Sequence, residues 1–319
     1  MKIFITREIP EAVIDLLQKK GFEVSVYKKD NPIPRKELIR QVKDCDALIS
    51  LLSDRIDKEV IESMKKCKII ANYAVGFNNI DVEYAKKKDI VVTNTPDVLT
   101  DSTADLAMAL VLACARKLPE AEKFVRDKKF VGWKPKLFLG VELRDKYFGI
   151  LGAGRIGSAV AERAYSFGCK IIYYSNTHNK YLDEKLKGKK IPLNSLLKKA
   201  DILSIHLPLN DKTNNLLNAS NLRLLKKSAI FINTARGDII DENILIEMLK
   251  TNKLFAAGFD VYDNEPNLKI EFYKLKNVIV LPHIGSATVE ARNNMSILAA
   301  KNIIAVLEGK KALTPVIVN

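Results

Sequence analysis

The sequence is poor in histidine, tryptophan and cysteine, and it has no long apolar run. The four cysteines stand far apart, at Cys45, Cys67, Cys114 and Cys169, with no C-x-x-C pair among them. This spacing argues against a disulfide framework and a zinc site, and it is typical of a reducing compartment. No segment is apolar over the roughly 20 residues that a membrane span needs, and the amino-terminal apolar run is too short for a signal peptide. We therefore expect a cytoplasmic protein with no membrane segment and no bound metal.

Basic residues outnumber acidic ones by 52 to 38, which gives a formal net charge of +14. Such an excess can indicate a nucleic acid, an anionic small molecule or simply a lysine-rich surface. The lysines are spread along the whole chain in short pairs such as Lys198-Lys199, and no basic helix is interleaved with aromatic residues. This pattern favours a solvated surface, and we expect no nucleic-acid partner.

Short apolar strand patterns alternate with amphipathic helix patterns along most of the 319 residues. Strands are predicted at 3–6, 23–27, 47–52, 68–72 and 90–93, and again at 147–151, 170–174, 202–206, 230–233, 255–259 and 278–281. This alternation predicts an α/β protein with doubly wound parallel sheets covered by helices on both faces. A helical region without strands, from residue 102 to about 126, separates the two series, and a long helix over 288–307 ends the chain. The sequence therefore predicts two α/β units.

The strongest motif is Gly152-Ala153-Gly154-Arg155-Ile156-Gly157, which follows an apolar strand and opens a helix. In a dinucleotide-binding turn, Gly152 permits the tight bend, Gly154 lets a pyrophosphate approach the backbone, and Gly157 lets the helix pack against the sheet. Arg155 and Ile156 begin the helix, whose free N–H groups and positive dipole end attract phosphates. A glycine-rich turn without a ligand is the alternative, but the flanking strand and helix favour a dinucleotide site.

The end of the next strand indicates which dinucleotide binds. NAD enzymes usually place Asp or Glu there to accept a hydrogen bond from the ribose 2′-OH. Here Ser175 occupies that position, Asn176 and Thr177 follow it, and no carboxylate occurs before Asp183. Without the acid a 2′-phosphate meets no repulsion, and these three side chains can donate hydrogen bonds to it. The arginine typical of NADP enzymes is also missing, so we expect NADP, or dual use of NADP and NAD.

Three polar residues, Arg236, Glu265 and His283, follow later strands of the same predicted sheet. The carboxyl ends of parallel strands form the edge at which such sheets bind their ligands. An arginine can hold a carboxylate, a histidine can protonate a carbonyl oxygen, and a carboxylate can orient the histidine ring. Taken singly, these residues also suit a salt bridge, a solvated loop charge and a structural imidazole. Their shared position favours a catalytic set that reduces a 2-oxo acid.

At this point the chain resembles the D-isomer-specific 2-hydroxyacid dehydrogenases over essentially its whole length. The resemblance is carried by the glycine motif and by the segments 72–81, 93–96, 233–237, 260–266 and 282–288. The segments 99–106, 131–133 and 173–175 are similar to the glyoxylate and hydroxypyruvate reductase branch. The resemblance implies NAD(P)H-dependent reduction of a small 2-oxo acid, glyoxylate or hydroxypyruvate, to glycolate or D-glycerate.

The resemblance also implies roles for individual residues. Arg236, Glu265 and His283 form the catalytic set, in which His283 is the acid and base and Glu265 is its partner. The implied coenzyme contacts beyond those above are Thr103, Thr234, Ala235 and Asp260. The expected substrate contacts are Leu52, Val75, Gly76, Arg236, His283 and Trp133, with the N–H groups of Val75 and Gly76 gripping the carboxylate. The resemblance implies that Trp133 reaches the active site of the neighbouring subunit, and the alternative is a partly buried aromatic residue of the dimer interface.

A discontinuous architecture follows from the same resemblance. Residues 1–99 and 287–319 are expected to form a flavodoxin-like substrate domain, and residues 100–286 a Rossmann-type dinucleotide-binding domain. The active site is expected in the cleft, and the helical region from 102 to about 140 is expected to form a homodimer. Two alternatives stay open. One is another family member such as phosphoglycerate dehydrogenase, usually marked by the acid that Ser175 replaces, and the other is a dinucleotide-sensing co-repressor. Formate dehydrogenase chemistry is disfavoured, because that branch carries Gln at the position of Glu265.

Overall fold

The computed structural model describes residues 1–317, and the chain divides into two compact units. The first unit comprises Met1–Leu99 and the chain from Ser286 onward, and the second comprises Thr100–Gly285. Ser286 therefore lies in the first unit, one residue before the predicted boundary. Within the described residues, no helix is both long enough and apolar enough to cross a membrane.

The first unit is built on a five-stranded parallel sheet in the order β2-β1-β3-β4-β5. Its strands are β1 (Lys2–Ile5), β2 (Glu23–Val26), β3 (Ala47–Ser50), β4 (Ile69–Asn72) and β5 (Val91–Thr93). The helices between them are α1 (Ala12–Lys19), α2 (Arg35–Val42), α3 (Lys58–Ser63) and α4 (Val82–Lys87). The strand order is that of flavodoxin-like sheets. Both central strands, β3 and β4, are buried along their whole length, as helices on both faces require.

The second unit is built on a seven-stranded parallel sheet in the order β12-β11-β10-β9-β6-β7-β8. Its strands are β6 (Tyr147–Leu151), β7 (Lys170–Tyr174), β8 (Lys189–Lys190), β9 (Ile202–Ile205), β10 (Ile230–Asn233), β11 (Ala256–Phe259) and β12 (Val278–Val280). Its helices are α5 (Thr100–Arg116), α6 (Leu118–Arg126), α7 (Arg155–Ser166), α8 (Lys180–Lys185), α9 (Leu193–Lys199), α10 (Ala219–Leu222) and α11 (Glu242–Lys250). The order reverses between β6 and β9, where doubly wound sheets bind their ligands.

Helix α12 (Val289–Leu307) follows β12 and belongs to the first unit, where it packs against α1 and β4. Thr288 caps its amino end by accepting a hydrogen bond from the Ala291 N–H at 3.1 Å. The first unit is thus completed by a segment that is distant in sequence.

Two apolar clusters cover the two faces of the seven-stranded sheet. Successive residues of β10 alternate between them, since Ile230 and Ile232 pack into one cluster and Phe231 into the other. Burying one such side chain stabilises the fold by about 1.5–3 kcal/mol. Strands held on both faces in this way fix the positions of the residues that follow them, which include all the candidate catalytic residues.

The region after the first sheet differs from the prediction. The expectation of helix as far as residue 140 is wrong, because α5 ends at Arg116, α6 ends at Arg126, and residues 127–146 contain no helix. The break between α5 and α6 lies at Lys117, whose φ of 54° is left-handed. Pro119 lies in the first turn of α6. Proline is favoured in the first turn of a helix because it lacks the N–H that would be unpaired there, so Pro119 is the sequence signal that a new helix begins.

Candidate active site

The glycine turn connects β6 to α7 at the point where the strand order reverses. Gly152 has a φ of 101°, and a Cβ there would lie 2.7 Å from the carbonyl oxygen of His206. A Cβ on Gly157 would overlap the carbonyl oxygen of Gly152, so both positions require glycine. A Cβ on Gly154 would meet nothing within 4 Å. Gly154 therefore leaves open space beside the amino end of α7, which suits a pyrophosphate.

One side chain braces this turn, and His206 lies next to it. The side-chain amide of Asn179 donates hydrogen bonds to the carbonyl oxygen of Ala153 at 2.9 Å and to Ser158 Oγ at 2.8 Å. The ring nitrogen Nε2 of His206 lies 2.8 Å from Ser204 Oγ. Burial lowers the pKa of His206 to about 3, so its ring is neutral at physiological pH. Sequence reasoning did not assign Asn179, although its position as the N-cap of α8 is a usable signal.

The selector loop (residues 175–179) follows β7 and carries the residues expected to choose the coenzyme. The hydroxyl of Ser175 donates to the carbonyl oxygen of Thr177, and Lys190 Nζ donates to the carbonyl oxygen of Asn176 at 2.9 Å. Asn176 and Thr177 are exposed. The structure thus places the three candidate residues together in one exposed loop that is held mainly by local contacts.

The turn after β10 presents Arg236. The buried side chain of Asn233 accepts a hydrogen bond from the Ala235 N–H at 2.9 Å and donates one to the Arg236 carbonyl oxygen at 2.8 Å. Arg236 Nη1 donates to the carbonyl oxygen of Ala235 at 2.6 Å. Burial lowers the pKa of Arg236, while the negative charges of Glu265 and Asp238 raise it. A guanidinium stays charged in proteins, so the turn presents a fixed cation.

The acid–base loop (residues 260–266) follows β11 and contains Glu265, while His283 follows β12. The ring nitrogen Nδ1 of His283 lies 2.8 Å from Glu265 Oε2, and the two side chains are 24% and 27% exposed. The other oxygen of Glu265, Oε1, accepts a hydrogen bond from the Tyr262 N–H at 3.1 Å. Because Glu265 occupies Nδ1, the nitrogen Nε2 is left to meet a substrate. The structure therefore joins two of the three predicted catalytic residues directly.

Asp260, which is buried, fixes the segment that carries His283. Its carboxylate accepts hydrogen bonds from the N–H groups of Ile284 and Gly285, both at 2.7 Å, and its carbonyl oxygen accepts one from the His283 N–H at 3.0 Å. His283 has a left-handed φ of 56°, a conformation that costs a non-glycine residue about 1–2 kcal/mol. Burial raises the pKa of Asp260, and the Ile284 hydrogen bond and the His283 charge lower it. The resemblance assigns Asp260 to the nicotinamide, whereas here its carboxylate holds the His283 segment.

Two threonines expected to line the coenzyme lie near these residues in the fold. Thr103, which is buried in α5, donates from Oγ1 to the Gly285 carbonyl oxygen at 3.2 Å. The Oγ1 of Thr234 is buried and has no hydrogen-bond partner among residues 1–317. An unpaired buried hydroxyl costs about 1–3 kcal/mol, which a polar group of a ligand would offset. Together with the space at Gly154, these residues fit a nicotinamide dinucleotide.

The expected carboxylate-binding residues lie after β4 in the first unit. The side-chain amide of Asn94 donates to the Val75 carbonyl oxygen, and that of Asn72 donates to the Gly76 carbonyl oxygen, each at 2.8 Å. The N–H groups of Val75 and Gly76 donate no hydrogen bond within the part of the chain that the structure describes. They therefore stay available to an anionic ligand. Leu52 lies in the turn after β3 and is 36% exposed.

Trp133 lies on the helix-free segment 127–146 of the second unit. Its side chain is 82% exposed, as is that of Val131, and Phe130 and Leu139 are each more than half exposed. Several large apolar side chains exposed on one short segment are typical of an interaction surface.

Known proteins resemble this chain in sequence and in structure. Residues 108–285 match the family model of the D-isomer specific 2-hydroxyacid dehydrogenase, NAD binding domain. The glyoxylate reductases of Thermococcus litoralis and Pyrococcus horikoshii are each 48% identical to this chain in sequence. Each alignment covers 100% of this chain and 96% of the relative.

Two solved structures extend the comparison to the fold. A Thermus thermophilus protein has a TM-score of 0.94 and 41% identity over 99% of this chain and 100% of its own. The NADPH-dependent glyoxylate/hydroxypyruvate reductase of Sinorhizobium meliloti, solved with NADP and malonate, has a TM-score of 0.86 and 32% identity over 99% of this chain and 96% of its own. The predicted fold of two parallel-sheet α/β domains is confirmed.

The family match covers more than half of the chain and includes the glycine turn, Arg236, Glu265 and His283. The alignments with the relatives cover the remaining residues as well, so the similarity includes the first unit. The expected nicotinamide-dependent dehydrogenase is confirmed at the level of the family. The chain belongs to the D-isomer specific 2-hydroxyacid dehydrogenases.

Proposed function

We propose that this protein reduces glyoxylate to glycolate, and hydroxypyruvate to D-glycerate, with NADPH or NADH. The observation that carries this proposal is the 2.8 Å contact between His283 Nδ1 and Glu265 Oε2, at the sheet edge that also bears the glycine turn. The names of the curated relatives support glyoxylate as the substrate. When bound, the reduced nicotinamide supplies the hydride that reaches the carbonyl carbon. One proton is consumed for each 2-oxo acid reduced.

In this mechanism His283 supplies that proton. Its Nδ1 is held by Glu265, so the proton passes from Nε2 to the carbonyl oxygen of the substrate. The Glu265 carboxylate stabilises the imidazolium before the transfer and keeps the ring in place afterwards. In the oxidation direction neutral His283 accepts the proton from the hydroxyl group. Reduction should therefore weaken as pH rises, while oxidation should strengthen.

As candidate donors to a substrate carboxylate we propose Arg236 in the second unit and, in the first unit, the N–H groups of Val75 and Gly76. Arg236 carries a charge that its turn fixes through Asn233, and its planar fork matches a carboxylate. The two N–H groups have no other acceptor within residues 1–317, so they can bind an anion without losing a hydrogen bond of the protein. Donors that hold the carboxylate in this way orient the carbonyl group for reduction.

For the coenzyme we propose a preference for NADP, or equal use of NADP and NAD. The selector loop bears no carboxylate that could accept from a ribose 2′-OH or repel a 2′-phosphate. Asp183, the next acid along the chain, accepts from the Tyr173 hydroxyl at 2.7 Å and lies 3.1 Å from His178 Nδ1. Because Asp183 is engaged in these contacts, we do not assign it to the ribose 2′-OH, which Asp or Glu binds in NAD enzymes.

A homodimer in the cytoplasm completes the proposal. The exposed apolar side chains of the segment 127–146, together with Leu118 and Val125 of α6, need a partner surface, and a second copy of the chain would supply it. The four cysteines are all unpaired, which fits a reducing compartment. Sedimentation of a monomer at micromolar concentration would contradict the dimer.

The test of the function is the initial rate of glyoxylate reduction with NADPH and with NADH near neutral pH, beside hydroxypyruvate. We expect oxidation of at least one coenzyme by both acids, and none with His283→Ala. If the coenzyme binds tightly but neither acid is reduced, another 2-oxo acid becomes the better candidate. If no 2-oxo acid is reduced, the dinucleotide-sensing alternative is favoured.

A further inference from the structure

The acid–base loop rests on the segment that follows Arg236. A Cβ on Gly237 would overlap the backbone of Tyr262 and Asp263, so the loop lies directly on Gly237. The N–H of Asp263 donates a 2.6 Å hydrogen bond to Oε1 of Glu242, the first residue of α11. The loop is therefore held by two contacts, the close packing of its backbone on Gly237 and the hydrogen bond to the Glu242 carboxylate.

Glu242 is only 2% exposed, which is rare for a glutamate. Its closest cation is Lys269, whose Nζ lies 3.5 Å from Oε2 and 3.6 Å from Asp263 Oδ2. Burial raises the pKa of Glu242, and the Asp263 N–H and Lys269 lower it. Replacing a buried ion pair by apolar residues is often neutral or stabilising, so packing alone does not favour a carboxylate at this site. Packing therefore does not explain why a carboxylate occupies position 242.

Capping of α11 does not supply that reason. Asp241 is the N-cap, and its side chain accepts from the N–H groups of Asn243 and Ile244 at 3.1 and 3.4 Å. The strongest contact of Glu242 is instead its hydrogen bond to Asp263, two residues before Glu265. The loop also forms a turn around Asp263, because the N–H of the preceding residue, Tyr262, donates to Glu265 Oε1. A shift of Asp263 would move the Glu265 carboxylate as well.

We propose that Glu242 is a positioning residue: its carboxylate fixes the Asp263 N–H and thereby holds the Glu265 carboxylate against His283 Nδ1. The inference rests on the proposed function, because that function gives the His283–Glu265 pair its catalytic role. Glu242 itself touches neither of these two residues. It acts through the backbone of the acid–base loop.

Three variants test the proposal. Glu242→Leu removes the acceptor, Glu242→Gln keeps an oxygen for the Asp263 N–H, and Glu247→Gln is the control, an exposed carboxylate on the same helix paired with Arg223 at 2.9 Å. We expect the kcat for glyoxylate to fall at least about tenfold in Glu242→Leu, with little change in the KM for the coenzyme, because only the transition state is affected. Glu242→Gln should recover most of this loss, and Glu247→Gln should match the parent. If Glu242→Leu does not fold, Glu242→Met, with its adaptable side chain, replaces it.

A second measurement does not depend on turnover. The chain has three histidines, so histidine-selective ¹⁵N NMR without coenzyme or substrate can follow the hydrogen-bonded Nδ1 proton of His283. We expect this downfield signal in the parent, in Glu242→Gln and in Glu247→Gln, and its loss in Glu242→Leu. A Glu242→Leu protein with the parent kcat and the parent signal would overturn the proposal. If the signal depends on Glu242 but the parent reduces no 2-oxo acid, the positioning stands and the proposed function fails.

Discussion

The acid–base loop and the selector loop both follow strands of the seven-stranded sheet, but they are held in different ways. The acid–base loop begins with buried Asp260, lies on Gly237 and is bound to the buried residue Glu242 by a partly buried hydrogen bond. The selector loop is exposed at Asn176 and Thr177, where it is held by a contact within itself and by one surface lysine, and only its last residue, Asn179, is bound to the glycine turn. One loop is fixed by the core, and the other lies on the surface.

This difference teaches that the chemistry and the choice of coenzyme are separable in this chain. Proton transfer needs groups fixed to within a fraction of an ångström, which only a packed environment provides. Discrimination of a 2′-phosphate needs only charge or its absence at a solvated position, where interactions are screened. Substitutions in the acid–base loop should therefore change kcat strongly. Substitutions in the selector loop should change the ratio of the two coenzymes and little else.

The largest effect is expected from His283→Ala. Removing the proton donor should lower the kcat of glyoxylate reduction by roughly 10²- to 10⁴-fold, the range that general acid–base catalysis contributes. Coenzyme binding, followed by nicotinamide fluorescence, should stay within about twofold, since the glycine turn is untouched. His178→Ala, in the selector loop, is the matched control and should keep the parent kcat. Near-parent turnover in His283→Ala would remove the basis of the mechanism.

Glu265→Gln should have a smaller effect than loss of the histidine. Glutamine has a similar shape and can still accept from the Tyr262 N–H, but it cannot stabilise an imidazolium by charge. Hydrogen bonds to charged groups are worth about 1.5–3 kcal/mol and neutral ones about 1 kcal/mol, so the kcat should fall about tenfold. Steady-state kinetics at one fixed pH measures this change. An unchanged kcat would show that the carboxylate only orients the ring.

Ser175→Asp should change the coenzyme ratio rather than the rate. An aspartate there repels a 2′-phosphate and accepts from a 2′-OH, so the ratio of kcat/KM for NADPH to that for NADH should fall about tenfold, or ~1.4 kcal/mol. Ser175→Asn, which adds no charge, is the control and should leave the ratio near that of the parent. If Ser175→Asp leaves it unchanged, the selector loop does not choose the coenzyme.

The same contrast explains how much the sequence reveals. Strands β6, β7 and β10 begin and end at the predicted residues, because strands buried on both faces read as short apolar runs between clear boundaries. The candidate catalytic residues could be located for a similar reason, since each follows a strand of this sheet whose bounds were predicted to within one residue. Their roles were inferred from residue type and from the resemblance, and the 2.8 Å contact of Glu265 with His283 adds geometry to that inference.

What the sequence did not reveal depends on contacts between distant segments. Helix α8 has one buried residue, Leu182, so it shows no apolar periodicity, and Asn179 acquires its role only when it meets the glycine turn. Glu242 looks like an ordinary acidic residue in the first turn of a helix, which is common. It is buried because the loop around Asp263, 21 residues later, packs against it. No local sequence pattern predicts the contact between Glu242 and this loop.

The smallest effect is expected from substitution of His206, which lies next to Gly152 of the glycine turn, and it concerns the pH dependence of stability. The pKa of His206 is about 3 in the folded protein and near 6.5 in an unfolded chain. Between these values the unfolded state binds more protons, so His206 contributes stability above about pH 6.5 that is lost as pH falls toward 3. His206→Gln keeps a polar group for Ser204 Oγ but cannot titrate. The Tm of the parent should therefore fall more steeply between pH 7 and pH 5 than that of His206→Gln, and parallel curves would show that folding does not lower the pKa of the ring.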